Sequence, residues 1–148
     1  AVSERMGHGH DFWRAAGTRA DVMTTIGAVA ERFGLADALN ERTADLPYGK
    51  QRLVEIAVAF ACDPAVLLLD EPAAGVPEAE RRELLQTIAD LPADVSVLLI
   101  EHDMDLVFSF ARKISVLVNG ALLKTGTASE IASDPEVRAV YLGEGADG

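Results

Sequence analysis

The sequence contains a single cysteine, Cys62. A disulfide needs two cysteines, and structural zinc sites usually recruit several. A disulfide framework and a cysteine-based metal site within this chain are therefore excluded. Because Cys62 falls in an apolar helical pattern, we expect its side chain to lie in the core.

Positive charge and long apolar runs are also scarce. Lys and Arg total 13 against 24 Asp and Glu, which gives a net charge of −11. Such an acidic balance argues against nucleic acid or anionic lipid as a partner of the whole surface. The longest apolar runs have the length of strands, and no N-terminal secretion signal is visible, so the sequence predicts a soluble chain of cytoplasmic character.

The most informative stretch is the apolar run at residues 66–69, which leads directly into Asp70 and Glu71. A strand that is apolar at every position is typical of a parallel sheet covered by helices on both faces. Ligands of such sheets bind beyond the carboxyl ends of the strands. Two adjacent carboxylates there suit a divalent cation together with a base or water-orienting group for a phosphate reaction. The alternative is that Asp70 only caps a turn and that Pro72 ends the strand.

A second apolar strand, at residues 96–100, ends in Glu101, His102 and Asp103. If the two strands are neighbours in one sheet, Glu71 and His102 approach each other at the same edge. His102 would then reach a phosphate or position an attacking water. A histidine considered alone is more often a structural residue.

The first part of the chain predicts a small helical subdomain. Apolar residues at three- and four-residue spacing predict a helix over residues 18–33, and Gly34 has the position of a left-handed C-terminal cap. Residues 1–17 show no usable period and predict a loop. That loop contains Phe12 and Trp13, which either form a docking surface or pack against the next helix.

A phosphate-binding corner is predicted where the next helix begins. This helix is apolar around most of its circumference, so we expect it to be buried. Lys50 and Arg52 stand at its start, where positive charge opposes the helix dipole at a cost of a few tenths of a kcal/mol. Together with the backbone amides and Gly49, these cations would bind a phosphate. The alternative is a surface helix start with chance basic residues.

The remaining pattern completes the expected fold. Pro77 begins a helix between the two strands, which suits a right-handed parallel crossover. Another helix is expected from Asp103 to about Phe110, followed by a hairpin that turns at Asn119-Gly120. Two short helices finish the chain, each opened by a capping box. The boxes pair Thr127 with Glu130 and Ser133 with Glu136.

Together these motifs resemble the C-terminal part of an ATP-binding cassette (ABC) transporter ATPase, most of all the branched-chain amino acid importer subgroup. The resemblance extends over nearly the whole chain from about Thr18. Subgroup features include the small residues after the acid pair, Pro77, and the closing pattern from Gly126 to Gly143. The resemblance implies an α/β fold, the C-terminal part of a P-loop NTPase-type (RecA-like) parallel sheet at residues 63–148. Residues 1–62 would be a partial all-helical subdomain with the signature motif and the following helix.

The resemblance also implies site residues. Asp70 matches the end of the Walker B strand and would hold Mg²⁺ through water, while Glu71 would polarise the attacking water. His102 matches the switch histidine near the γ-phosphate of ATP. The family signature L-S-G-G-Q, which contacts ATP on the opposite subunit, corresponds to Leu46, Pro47, Tyr48, Gly49 and Lys50. Pro47 lacks the hydroxyl that would contact phosphate, whereas Tyr48 is common in the subgroup.

No G-x-x-x-x-G-K-[ST] loop occurs in the sequence. We therefore expect a fragment without the P-loop, inactive alone and prone to self-association through uncovered strands. The full-length parent would be an ATPase that dimerises head to tail and drives membrane permease subunits from the cytoplasmic face of the cell membrane. Its cargo would be branched-chain or related amino acids. The alternatives are a soluble ABC-type ATPase outside transport and a non-catalytic interaction module.

Overall fold

The computed structural model describes residues 20–142. The predicted loop with Phe12 and Trp13, the first two residues of the predicted first helix and the tail from Gly143 lie outside the described residues. The chain divides into two compact units, the first ending at Ile100 and the second beginning at Glu101. The predicted domain boundary after residue 62 stays a prediction. None of the helices within residues 20–142 has the length and hydropathy needed to cross a membrane.

The first helix, α1 (Ala20–Arg32), ends as the sequence predicts. Gly34 has a φ of +63°. Its amide donates to the Glu31 carbonyl at 3.2 Å, and the Leu35 amide donates to the Ala30 carbonyl at 2.7 Å. These two bonds form a Schellman motif, which a glycine stabilises because it has no Cβ to clash in the left-handed region. Two 3₁₀ turns follow, at Ala36–Ala38 and Thr43–Asp45.

The second helix, α2 (Tyr48–Phe60), is buried on one face only. Its buried residues are Gly49, Leu53, Ile56 and Ala57. Phe60 contacts Phe33 edge to face, with ring centroids 5.5 Å apart, but Val58 is 55% exposed. The prediction of burial around most of the circumference is therefore wrong. The core position predicted for Cys62 is also wrong, because α2 ends at Phe60 and Cys62 lies exposed in the following turn.

The first unit contains a parallel pair of strands. Strand β1 (Val66–Asp70) pairs with β2 (Ser96–Ile100), with Val66 opposite Ser96 and Asp70 opposite Ile100. Helix α3 (Glu78–Ala89) connects them, and its Leu84 and Ile88 are almost fully buried. The predicted neighbouring strands and the α/β class are confirmed.

One face of this pair is open. Leu67 and Leu69 are buried, whereas the alternate side chains are 56–69% exposed. These exposed side chains, here called the open sheet face, are Val66, Leu68, Leu98 and Ile100. The described residues cover one side of the pair, so this chain does not show the cover on both faces that is typical of a complete parallel sheet. The open face agrees with the uncovered strands expected of this chain.

The second unit consists of a helix, a hairpin and two short helices. They are α4 (Met104–Phe110), β3 (Ile114–Val118), β4 (Ala121–Gly126), α5 (Ala128–Ser133) and α6 (Pro135–Leu142). The strands are antiparallel, and their turn at Asn119 and Gly120 has φ angles of +49° and +79°, as predicted. A small core holds the unit together. It consists of Ile114, Val116, Ile131 and Val137.

Only one of the two predicted capping boxes is present. The Thr127 amide donates to Glu130 Oε2 at 2.8 Å, and Thr127 Oγ1 accepts from the Glu130 amide at 3.4 Å. The box predicted at Ser133 is wrong, since the Ser133 hydroxyl donates to the Ser129 carbonyl instead. The last helix begins at Pro135, so its N-cap is Asp134, one residue after the predicted Ser133. Asp134 Oδ1 accepts from the amides of Glu136 and Val137.

Candidate functional site

The predicted catalytic carboxylates lie where β1 ends. Asp70 is the last residue of the strand, and Glu71 follows it with a φ of +44°. The Glu71 amide donates to the Ile100 carbonyl at 2.9 Å, and its carbonyl accepts from the Ala74 amide at 3.0 Å. A left-handed conformation costs a non-glycine residue about 1–2 kcal/mol, so these backbone bonds hold a strained position. Both carboxylates are exposed at the carboxyl edge of the strand pair.

His102 belongs to the second unit. It lies two residues beyond β2, is exposed, and directly precedes Asp103. Asp103 caps α4, because its Oδ1 accepts from the Leu106 amide at 3.2 Å. The predicted approach of His102 to Glu71 stays a prediction.

The predicted phosphate-binding corner lies at the start of α2, in the first unit. Pro47 is the N-cap residue and offers no side-chain hydrogen bond to the helix. Gly49 is buried, and its amide donates to Glu80 Oε2 at 2.7 Å. The Gly49 amide, which we predicted to bind phosphate, therefore already donates to a carboxylate of the same chain.

Both predicted cations of this corner have carboxylate partners. Lys50 Nζ lies 2.9 Å from Asp37 Oδ2, and Arg52 donates to Glu55 Oε2 at 2.7 Å. The Asp37 carboxylate holds the pKa of Lys50 above its usual value, and Glu55 does the same for the pKa of Arg52. Arg52 also lies over the Tyr48 ring, 5.2 Å from its centroid. Both cations are thus held in intramolecular ion pairs. Arg52 and Glu55 are three residues apart on one helix face, whereas Asp37 lies 13 positions from Lys50, beyond the reach of local spacing.

The start of α2 and the loop after Glu71 contact each other. Gly75 has a φ of +73°, and a Cβ added there would lie 3.3 Å from Tyr48 Cε1. Helix α3 follows that loop, and its Arg81 Nε donates to the Val76 carbonyl at 2.9 Å. The predicted signature segment is therefore packed against the loop that follows the carboxylates.

The described residues contain no group of three His, Cys, Asp or Glu side chains suited to a metal ion. Mg²⁺ does not need such a group, since it is commonly held by one or two carboxylates, waters and the phosphates of its substrate. Asp70, exposed at a strand end, suits that kind of coordination.

Two family models match the chain. Residues 6–74 match a model described as ABC transporter, and residues 125–147 match one described as Branched-chain amino acid ATP-binding cassette transporter. Among solved structures, MJ1267, an ATP-binding cassette of an ABC transporter in its ADP conformation, is 28% identical. That similarity has a TM-score of 0.74 and covers 82% of this chain and 50% of MJ1267.

Curated relatives agree with both models. The high-affinity branched-chain amino acid transport ATP-binding protein LivG of Salmonella typhimurium is 44% identical over 116 residues, which are 77% of this chain and 46% of LivG. The protein of the same description from Pseudomonas aeruginosa, BraF, is 44% identical with the same coverage. This chain belongs to the ABC transporter ATP-binding family. It spans about half the length of these relatives. The predicted P-loop NTPase type of α/β fold is confirmed by the solved ABC ATPases.

Sequence reasoning missed two residues of this ABC chain that shape the signature segment. Asp37 neutralises Lys50, and Glu80 accepts from Gly49 across 31 positions. A signal for a distant acceptor was present, because Pro47 at the N-cap offers no side-chain oxygen and the first amides of any helix need acceptors. The identity of that acceptor depends on how α2 and α3 pack, which local sequence does not encode.

Proposed function

We propose that this chain is part of the ATP-hydrolysing subunit of an ABC importer for branched-chain or related amino acids. One observation carries the proposal: Asp70 and Glu71 emerge together at the carboxyl edge of the parallel strands, with the Glu71 backbone held in a left-handed conformation. The solute class is supported by LivG and BraF, whose names assign them to high-affinity branched-chain amino acid transport.

In this proposal the two carboxylates have different roles. Asp70 would hold Mg²⁺ through water, and the ion would neutralise charge on the phosphates of ATP. Glu71 would accept the proton of the attacking water or orient it, and its fixed backbone would limit the positions its carboxylate samples. His102 would contact the γ-phosphate side of the same nucleotide.

The signature segment would serve a second nucleotide, bound by a partner subunit in a head-to-tail dimer. Its residues are Leu46, Pro47, Tyr48, Gly49 and Lys50. The Gly49 contact with Glu80 supports an anion-binding character for this helix start, because a carboxylate oxygen already accepts from it. Lys50 would have to exchange its Asp37 partner for a phosphate, or remain with Asp37 while backbone amides make the contact.

The proposed partners are a second ATPase subunit and the permease subunits of the importer. The complete subunit would lie in the cytoplasm, at the inner face of the cell membrane, and reach the membrane through the permease. Nucleic acid has no place in the proposal, consistent with the net charge of −11.

Transport by the complete protein tests the proposal. The complete subunit is co-purified with its permease and reconstituted in vesicles with ATP on the subunit side, and uptake of labelled leucine, isoleucine and valine is compared with uptake of glutamate. We expect ATP-dependent uptake of the branched-chain amino acids only. Hydrolysis that no permease stimulates would instead favour the soluble ATPase alternative, and absence of hydrolysis would favour the interaction module.

A further inference from the structure

The signature helix α2 has no N-terminal cap of its own. The first amides of a helix have no acceptor within the helix, and Ser, Thr, Asp or Asn at the N-cap usually supplies one. Pro47 occupies that position here and provides no side-chain oxygen. An acceptor for the first turn must therefore come from elsewhere.

Glu80 supplies that acceptor from the first turn of α3. Its Oε2 lies 2.7 Å from the Gly49 nitrogen, which belongs to the buried second residue of α2. Glu80 is half-buried. A carboxylate at this place is favoured twice, by a charge-assisted hydrogen bond and by the positive end of the α2 dipole.

The fit between Gly49 and Glu80 is tight. A Cβ added to Gly49 would lie 2.5 Å from Glu80 Oε2 and 3.0 Å from Glu80 Cβ. Glycine is therefore needed for the carboxylate to reach the amide. The same helix start contacts the loop after Glu71 through Tyr48 and Gly75, so Glu80 reinforces an existing packing of two segments.

We propose that Glu80 is a positioning residue of the signature segment. It holds the first turn of α2 against α3 and against the loop that follows Glu71, so that the signature is set in place before it meets ATP on the partner subunit. This inference rests on the proposed function. Glu80 touches neither nucleotide nor reacting atoms in this role and acts through Gly49.

The test uses the complete subunit carrying Glu71→Gln, so that ATP is bound without being consumed. Glu80→Ala, Glu80→Gln and the control Glu78→Ala, an exposed carboxylate in the same turn, are each added to it. Sedimentation over a range of protein concentrations gives the ATP-dependent dimer affinity. Titration of a fluorescent ATP analogue below the dimerising concentration gives nucleotide affinity of the single subunit, and hydrogen exchange reports the amides at residues 48–50.

Loss of a helix cap predicts dimer affinity about tenfold weaker in Glu80→Ala. Exchange at residues 48–50 should accelerate, while nucleotide affinity of the single subunit stays unchanged. Glu80→Gln should recover most of the affinity because its amide oxygen can accept from Gly49, and Glu78→Ala should match the parent.

Three results would overturn the inference. Dimer affinity unchanged or increased by Glu80→Ala would show that Glu80 is dispensable or opposes closure. A parallel loss of nucleotide affinity and melting temperature would show only a general folding role. If Glu71→Gln alone forms no ATP-dependent dimer, the proposed function itself fails, and the role of Glu80 fails with it for that separate reason.

Discussion

Lys50 Nζ lies 2.9 Å from Asp37 Oδ2, so a cation that the sequence assigns to phosphate is paired within its own chain. The pair lowers the pKa of Asp37, chiefly through the hydrogen bond from Lys50, and raises the pKa of Lys50. Asp37 is well exposed and Lys50 partly so. The pair is therefore screened by salt and weak, and an anionic ligand could displace Asp37 without a large loss of stability.

The first prediction concerns the pH dependence of this pair. Because the pKa of Asp37 is lowered on folding, its contribution is present above the ordinary aspartate pKa and is lost as pH falls through the lowered value. The raised pKa of Lys50 makes its contribution complete below the ordinary lysine pKa, and that contribution is lost as pH rises through the raised value. Asp37→Asn should lower the melting temperature slightly at pH 7 and not at all at pH 2. Asp45→Asn is the exposed control, and equal losses at both pH values would contradict the pair's role.

The second prediction compares two glycines with open space around an added Cβ. Gly34→Ala should destabilise the complete subunit by about 1 kcal/mol, because an alanine at a φ of +63° is strained. Gly27→Ala, inside α1, should stabilise it by about 0.5–1 kcal/mol through helix propensity. Denaturant unfolding measures both. Equal effects of the two variants would mean that the left-handed cap at Gly34 is absent.

The residues that sequence predicted well have local causes. Three predicted features depend only on residues a few positions apart, and all three are present. They are the helix cap at Gly34, the hairpin turn at Asn119-Gly120 and the capping box of Thr127 with Glu130. The core position predicted for Cys62 is wrong because the apolar residues Ala61 and Cys62 follow the last helical residue, Phe60. The end of the helix is marked by Asp63, which has a φ of +60°, and by Pro64. The capping box predicted at Ser133 is wrong because both Ser133 and Asp134 are suitable N-cap residues. The helix begins at Pro135, so Asp134 is the N-cap.

The location of Asp70 and Glu71 at a strand end was predicted, whereas the contacts of the signature segment were not. The continuous apolar run before Asp70 and Glu71 predicts a strand of a parallel sheet that ends at these carboxylates, and the structure shows that strand. The partners of Gly49 and Lys50 come from Glu80 and Asp37, which lie 31 and 13 positions away. Such pairings depend on helix packing angles, and no short-range pattern specifies them.

The third prediction concerns Glu71 in the complete subunit. Glu71→Gln should lower ATP turnover at least a hundredfold while ATP still binds, because the amide keeps the shape of the side chain but cannot accept a proton. Glu78→Gln is the matched control and should hydrolyse ATP normally. Undiminished hydrolysis by Glu71→Gln would remove Glu71 from the catalytic role.

The fourth prediction concerns the 148-residue chain by itself. It contains no P-loop sequence to wrap the β- and γ-phosphates, so we expect neither useful ATP affinity nor ATPase activity. Calorimetric titration with Mg-ATP checks this, with the complete subunit as the positive control. Micromolar binding by the 148-residue chain would show that its signature segment and strand-end carboxylates suffice to hold a nucleotide.

The last prediction concerns the open sheet face of Val66, Leu68, Leu98 and Ile100. These side chains are 56–69% exposed on adjacent parallel strands and form a patch of the kind that seeks an apolar partner. We expect the 148-residue chain to pair or aggregate through this face, and Leu68→Glu to reduce the association strongly because a buried carboxylate would lack a partner. Leu117→Glu, at a similarly exposed position of the hairpin, is the control and should associate as the parent does.

Light scattering coupled to size exclusion measures this association over a dilution series. A dilution-resistant monomer that binds no hydrophobic dye would contradict the prediction, because it would require these four side chains to be shielded within one chain. An assembly that persists in Leu68→Glu but dissolves in Leu117→Glu would move the contact to the second unit. Leu68 and Leu117 are both more than 60% exposed, so each variant adds one negative charge at a similarly exposed site. A difference between the variants therefore reports where the chains associate and not the added charge alone.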